Sequence, residues 1–266
     1  MNTEQHLARV GAVAAVSGSL VLLVATSLHP MSADPNDPMA AFAEYAADVL
    51  WVGSHLGQFL GIALIGAALV ALAATLEAGK AAAWARLGLV GAAASVATAG
   101  ALQSVDGVAL KIMVDRWSRA SGEARTLAFE GAFAVRQIEI GLASLLSITF
   151  GLTAVMFGTA MLRSTRYPKW LAWLGLLGGS ASIVAGVAQA YTGFSERAMN
   201  LSMPASVVLL AWVVVLGVLM WRRAPGFHAT DRERSNSNWS RRRSDTNVPR
   251  LSCRRWAGAS GACYCS

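Results

Sequence analysis

The chain has 266 residues, of which 55% are hydrophobic and only 14% charged. Soluble domains carry about a quarter charged residues, so this composition excludes an ordinary water-soluble domain, a disordered chain and a long coiled coil. The formal net charge of +7 is local: residues 1–221 hold 12 basic and 12 acidic side chains, whereas residues 222–266 hold 10 and 3. The same final segment carries all three cysteines, Cys253, Cys263 and Cys265. The body is therefore neutral, apolar and free of cysteine.

A membrane helix needs about 20 mostly apolar residues at 1.5 Å of rise each. Six segments qualify, at about 10–28, 52–76, 87–106, 138–162, 170–190 and 204–221. Backbone polar groups find no water in the bilayer core, so these segments are expected to be helices, and the fold class all-α, a polytopic bundle of six transmembrane helices. The first span ends at His29-Pro30; its 19 apolar residues exceed the usual signal-peptide core, and an uncleaved helix is expected. Asp37 then reads as a cap with Pro38 at the first helical position. It opens a short helix over 39–50 that carries Phe42, Tyr45 and Val49 along one side and lies on the membrane surface. The third span continues as a helix past the bilayer towards Val114. Trp51 opens the second span, Tyr167, Trp170 and Trp173 open the fifth, and Trp221 closes the sixth, all at headgroup level. Pro168 and Pro204 mark helix starts.

Orientation follows the basic residues of the loops. The first loop has no Lys or Arg but four acids, Asp34, Asp37, Glu44 and Asp48, and is placed outside. Lys80 and Arg86, then Arg163, Arg166 and Lys169, then Arg222 and Arg223 mark the inside. Both termini are then cytoplasmic. The use of 19 Arg against 3 Lys, with abundant Ala and Gly, hints at a GC-rich bacterial genome and hence at a bacterial plasma (inner) membrane.

Lipid supplies no hydrophobic force between helices, so close backbone contact matters. Small residues recur four apart: Gly57 and Gly61 in the second span, Gly88 with Ala92 and Gly91 with Ser95 in the third, and Ser147 with Gly151 in the fourth. The fifth carries Gly175 and Gly179 beside Gly178, Ser182 and Gly186. Packing within the chain is expected for the fifth span, and a homo-oligomer or a membrane partner remains an alternative use of such faces. The runs 87–91 and 174–178 also echo one another, with Ser95 and Ser182 in register and Gln103 and Gln189 near the far ends, as in a parallel repeat.

Polar side chains inside spans are candidate functional groups. His29, His55, Gln58, Gln103, Asp106, Arg136, Glu139 and Gln189 all fall at the outer ends of five helices. The pairs 55/58, 103/106 and 136/139 are each three apart and share a face. They predict an outward-facing polar vestibule, with Arg136 paired to Asp106 or Glu139 at its floor, that binds or passes a small ligand. The alternatives are solvated interfacial groups, a membrane-embedded enzyme using His55, Asp106 and Glu139, and a structural subunit of a membrane complex. No close His/Asp/Glu motif supports a metal site, and bis-histidine haem would need His29 and His55 to face each other. Ser54 adjoins His55 but points elsewhere on a helix, and there is no nucleophile elbow, phosphate loop or dinucleotide fingerprint. No catalytic residue, metal or cofactor is assigned.

The segment 224–266, with Arg241-Arg242-Arg243 and Arg254-Arg255, has no apolar periodicity and reads as a basic, disordered cytoplasmic tail. The bilayer and its anionic headgroups are the expected partners. Nucleic acid is not, because no binding module accompanies the charge. Three thiols without a second CxxC pair make a poor zinc site.

Six spans, His55 and Gln58 at the start of the second, and the run Arg166-Tyr167-Pro168-Lys169-Trp170-Leu171-Ala172-Trp173-Leu174-Gly175 resemble an uncharacterised family of bacterial integral membrane proteins, catalogued as a domain of unknown function. The resemblance covers about residues 8–222. It implies a plasma-membrane location and transfers no catalytic residue.

Overall fold

The computed structural model describes residues 3–76 and 79–223. The 224–266 tail, with its expected disorder, lipid contact and thiols, lies outside the described residues. Among the described residues the fold is all-α, built from α1 (Thr3–Ser27), α2 (Pro38–Ala47), α3 (Trp51–Ala74), α4 (Gly79–Ser104), a π-helical turn (Val105–Leu110), α5 (Lys111–Arg119), α6 (Gly122–Leu162), α7 (Lys169–Thr192) and α8 (Glu196–Arg223). Six helical segments are long and apolar enough to cross a membrane: α1, α3, the continuous Gly79–Arg119 rod, α6, α7 and α8. Leucines and valines such as Leu20, Leu56, Val90, Leu177 and Val207 remain exposed on their outer faces. An apolar exterior of this kind is dressed for lipid, and the chain is a multi-pass membrane protein.

The long helices close a ring in chain order. α1 packs on α3, α3 on α4, α4 on α6, α6 on α7, α7 on α8, and α8 returns to α1. At the end that holds Thr3 and Arg223 the ring is filled by Leu69, Leu72, Phe157, Met161, Trp212, Leu216 and Met220. The small residues sit at the seams. A Cβ on Gly61 would lie 2.8 Å from the backbone N of Leu22, and one on Gly57 2.8 Å from Ala25 Cβ, both on α1. The glycines of α7 divide between two neighbours: Gly175 and Gly178 receive Trp212 and Leu209 of α8, whereas Gly179 and Gly186 meet the carbonyls of Gly151 and Ser144 on α6. Ser182 Oγ donates to Ser147 O at 2.8 Å, on the α6 side. A Cβ at Gly179 would come within 2.6 Å of the Gly151 carbonyl oxygen. Gly179→Leu should therefore cost about 1–3 kcal/mol or more by overpacking. Gly141→Ala, whose new Cβ meets nothing within 4 Å, should be neutral or slightly stabilising; thermal unfolding of the two purified variants compares them.

Several expectations need correcting. The rod Gly79–Arg119 and α6 are each 41 residues long, about 60 Å at 1.5 Å per residue, against a hydrocarbon core of about 30 Å. The third helix thus continues past 106 as expected but runs on beyond Val114 to Arg119, and the fourth begins far before 138. The segment read as a charged loop is a helical hairpin. Arg116, Arg119, Glu123 and Arg125 are exposed on it, while Leu110, Val114 and Trp117 pack on Ala128 and Ala132. The short helix turns its apolar side to protein, not to lipid. It packs on this hairpin, with Phe42 fully buried beside Trp117 and Phe129 at ring-centre distances of 6.2 and 5.6 Å. The Asp37 cap forms as expected, accepting from the N–H of Met39 and Ala40. The helix stops at Ala47, however, and leaves Val49 92% exposed. Pro204 lies inside α8, which already starts at Glu196. The lost bond falls in the polar first turns, where the orphaned carbonyl can be solvated. Trp51 and Tyr167 are buried rather than placed at headgroups, Tyr167 sharing a 2.9 Å hydrogen bond with Thr75.

Candidate functional site

The polar residues gather at the end of the ring opposite the chain termini, beneath the hairpin. The second span begins with Trp51 and His55 one turn apart, and their rings stack at 4.6 Å. Tyr45 of α2 lies on the other side of Trp51 at 4.2 Å. α1 ends at Ser27, and His29 folds back so that its ring stands 5.0 Å from His55 and 4.7 Å from Trp51. Asp106 comes from the π-helical turn. Such turns interrupt regular helices and often accompany functional sites. Here the Trp51 indole donates to the Asp106 backbone carbonyl at 3.0 Å, which fixes the turn to α3. Gly107 lets the two approach, since a Cβ there would lie 2.5 Å from His55 Cβ.

The tautomers follow from the carbonyls. His29 Nδ1 donates to Pro30 O at 2.8 Å, and His55 Nδ1 donates to Trp51 O at 2.6 Å. A carbonyl oxygen only accepts, so both Nδ1 atoms carry protons. Both Nε2 atoms are then left to face the site. His55 Nε2 stands 3.0 Å from Asp106 Oδ2, an ion pair when the imidazole carries a second proton, and Asp106 Oδ1 has no hydrogen-bond partner among the described residues. Burial and the neighbouring His55 hold the His29 imidazole below its ordinary pKa. The same geometry removes a serine nucleophile: Ser54 Oγ donates to the Trp51 carbonyl at 2.8 Å, and the proton on His55 Nδ1 leaves no base for it.

One turn deeper on the same two helices, Gln103 Nε2 donates to Gln58 Oε1 at 3.1 Å. Beside Tyr45 stands the second charged pair. Arg136 Nη1 donates to both oxygens of Glu139 at 3.0 and 2.9 Å, and its guanidinium lies over the rings of Tyr45 and Phe194 at 5.3 and 4.8 Å. Arg136 pairs with Glu139 and Asp106 with His55, which settles the pairing that spacing left open. Gln189 is buried on α7, its amide nitrogen unpartnered among the described residues.

The layer is closed rather than an open mouth. His55, Gln103, Arg136, Glu139 and Gln189 are buried, while His29, Gln58 and Asp106 are half-buried. α2 forms the lid. Lys111 Nζ donates to the carbonyls of Tyr45 and Ala46 at its C-terminus, a favourable place for a cation. Glu44 accepts from the N–H groups of Ser32 and Ala33 at 3.0 Å each. Burial pushes the Glu44 carboxyl up, but these N–H groups outweigh it and hold the pKa below its ordinary value. Burial pushes the Tyr45 hydroxyl up to about 12, so Tyr45 is a neutral wall. Trp51, Tyr45, Gly107 and Lys111 were not among the site residues expected from sequence. The one available signal was Trp51 at four residues before His55 and Gly107 directly after Asp106. The two imidazoles stand side by side, without a slot for a macrocycle between them. No protein-family model, curated protein or solved structure matches the chain.

Proposed function

We propose that the protein is a non-enzymatic membrane protein that binds a small polar or ionic solute in the closed layer under α2. One observation carries this reading. Buried polar atoms are nearly always hydrogen-bonded, yet five of the seven that lack a partner among the described residues belong to this end of the ring: Asp48 Oδ2, His55 Nε2, Gln103 Oε1, Asp106 Oδ1 and Gln189 Nε2. Orphans concentrated at one level, from four different segments, are groups awaiting a ligand. The glycine faces at Gly57, Gly61, Gly175, Gly178, Gly179 and Gly186 are spent within the chain, which leaves less support for a structural subunit built through them.

The Lys and Arg of the loops support an outward-facing layer with both termini inside, and the excess of Arg over Lys with abundant Ala and Gly supports a bacterial plasma membrane. The 166–175 run with His55 and Gln58 supports membership of the uncharacterised six-span family. The test is thermal unfolding of the full chain in detergent with a panel of small metal-free solutes, divalent metals being tried separately. A ligand at 100 times its Kd adds about 2.7 kcal/mol. A saturable rise in Tm is expected for at least one class of solute or ion, and Gln103→Leu or His55→Gln should remove it. No saturable rise from any solute or metal would sink the reading.

A further inference from the structure

We infer that His29, His55 and Asp106 form a binding site for one divalent first-row transition-metal ion. The inference rests on the binding layer just described and names the class of its ligand. One ligand atom from each residue lies within 4.8 Å of the other two. Two neutral imidazole nitrogens and a carboxylate oxygen suit zinc and its first-row neighbours, with further coordination positions left for water or solute. The 3.0 Å between His55 Nε2 and Asp106 Oδ2 is what two donors about 2.1 Å from one ion subtend at close to a right angle.

The surroundings point the same way. Metal-binding histidines commonly give their other ring N–H to a backbone carbonyl, which fixes the tautomer and aims the lone pair at the metal. Both histidines do this, to Pro30 and Trp51. With Nδ1 protonated, a neutral His55 turns an Nε2 lone pair on a carboxylate oxygen at 3.0 Å. A proton on Nε2 or a metal ion between the two atoms relieves that contact, and the second imidazole close by, His29, is a donor that a metal ion would use and a proton would not. His55 is 1% exposed, and its Nε2 has no hydrogen-bond partner among the described residues, so water does not relieve it from bulk. The indole of Trp51, bonded to the Asp106 backbone carbonyl, and the close approach of Gly107 to His55 anchor the turn that carries Asp106.

The experiment uses the full chain in detergent, stripped with a chelator, its thiols alkylated, and titrated with Co²⁺ as a coloured stand-in for Zn²⁺. One saturable equivalent per chain is expected, with visible d–d absorption that Zn²⁺ displaces. His29→Gln, His55→Gln and Asp106→Asn should each weaken binding by at least about 100-fold, while Glu130→Gln, on the exposed side of α6, leaves the stoichiometry unchanged. X-ray absorption of the Zn²⁺-loaded wild type should show two imidazoles and an oxygen donor; this readout stands even where a variant fails to fold. Absence of one-equivalent binding, sulfur in the first coordination shell, or affinity unchanged in all three ligand variants overturns the inference. If metals do not bind but a metal-free solute raises Tm, the metal site falls and the binding layer stands; if neither acts, both fall.

Discussion

Glu139→Ala is expected to lower stability by about 3–5 kcal/mol, the usual cost of breaking a buried ion pair from one side. The Arg136 and Glu139 side chains are 7% and 4% exposed. Removing the carboxylate leaves a guanidinium held over Tyr45 and Phe194, with the Pro35 carbonyl, at 3.4 Å, as a backbone acceptor. The penalty is desolvation of an uncompensated cation, not loss of a strong attraction, and this makes a sharper test available. Arg136→Met combined with Glu139→Leu removes both charges at similar volume and should recover most of the loss. Thermal unfolding of the wild type, the single and the double variant measures the comparison. A double variant no more stable than Glu139→Ala would show that the pair does more than neutralise itself.

Trp51→Ala should be comparably damaging, about 3–5 kcal/mol for a fully buried Trp, and its damage should spread. Trp51 is 0% exposed and stands between Tyr45, His29 and His55, with its indole N–H on the Asp106 carbonyl. Truncation opens a cavity against α2, frees the π-helical turn and unstacks both imidazoles. Trp51→Phe separates these effects, because the ring stays and only the N–H is lost. It should cost about 1–2 kcal/mol for the stranded carbonyl. Any solute- or metal-induced rise in Tm should fall in both variants. If Trp51→Phe matches the wild type in stability and in ligand response, the indole bond does not position Asp106.

The spans were legible in the sequence because lipid imposes a composition, and composition survives without knowledge of the fold. Beyond Val114 the hairpin was not read as helix for the converse reason. Lys111, Asp115, Arg116, Arg119, Glu123 and Arg125 give 111–125 the hydropathy of a loop, while its apolar stripe is one side chain wide: Leu110, Val114, Trp117. That spacing is helical and stood in the sequence, but it was drowned by the charges around it. At the site, the contacts along one helix were legible, as with Arg136 and Glu139. Gln58 and Gln103, and His55 and Asp106, needed the knowledge that the second and third spans are neighbours. His29 was the least legible. Its place beside His55 depends on how three residues after α1 turn back, and a His before Pro ordinarily signals no more than a helix end.

The ring has a seam. Every neighbour in it is also a neighbour in sequence, except where α8 meets α1: a Cβ on Gly217 would lie 2.8 Å from Ala15 Cβ, and Arg9 lies over the Trp221 ring at 5.7 Å. Five of the six joints can form as hairpins while the chain is still emerging. The sixth waits until the last helix has been made. Until then the flank of α1 around Ala12 and Ala15, small residues that let another backbone come close, stands open to whatever apolar helix is nearby in the bilayer. Synthesis of α8 therefore ends the exposure of α1, and a chain stalled before it would be an open strip of helices with two unpaired edges.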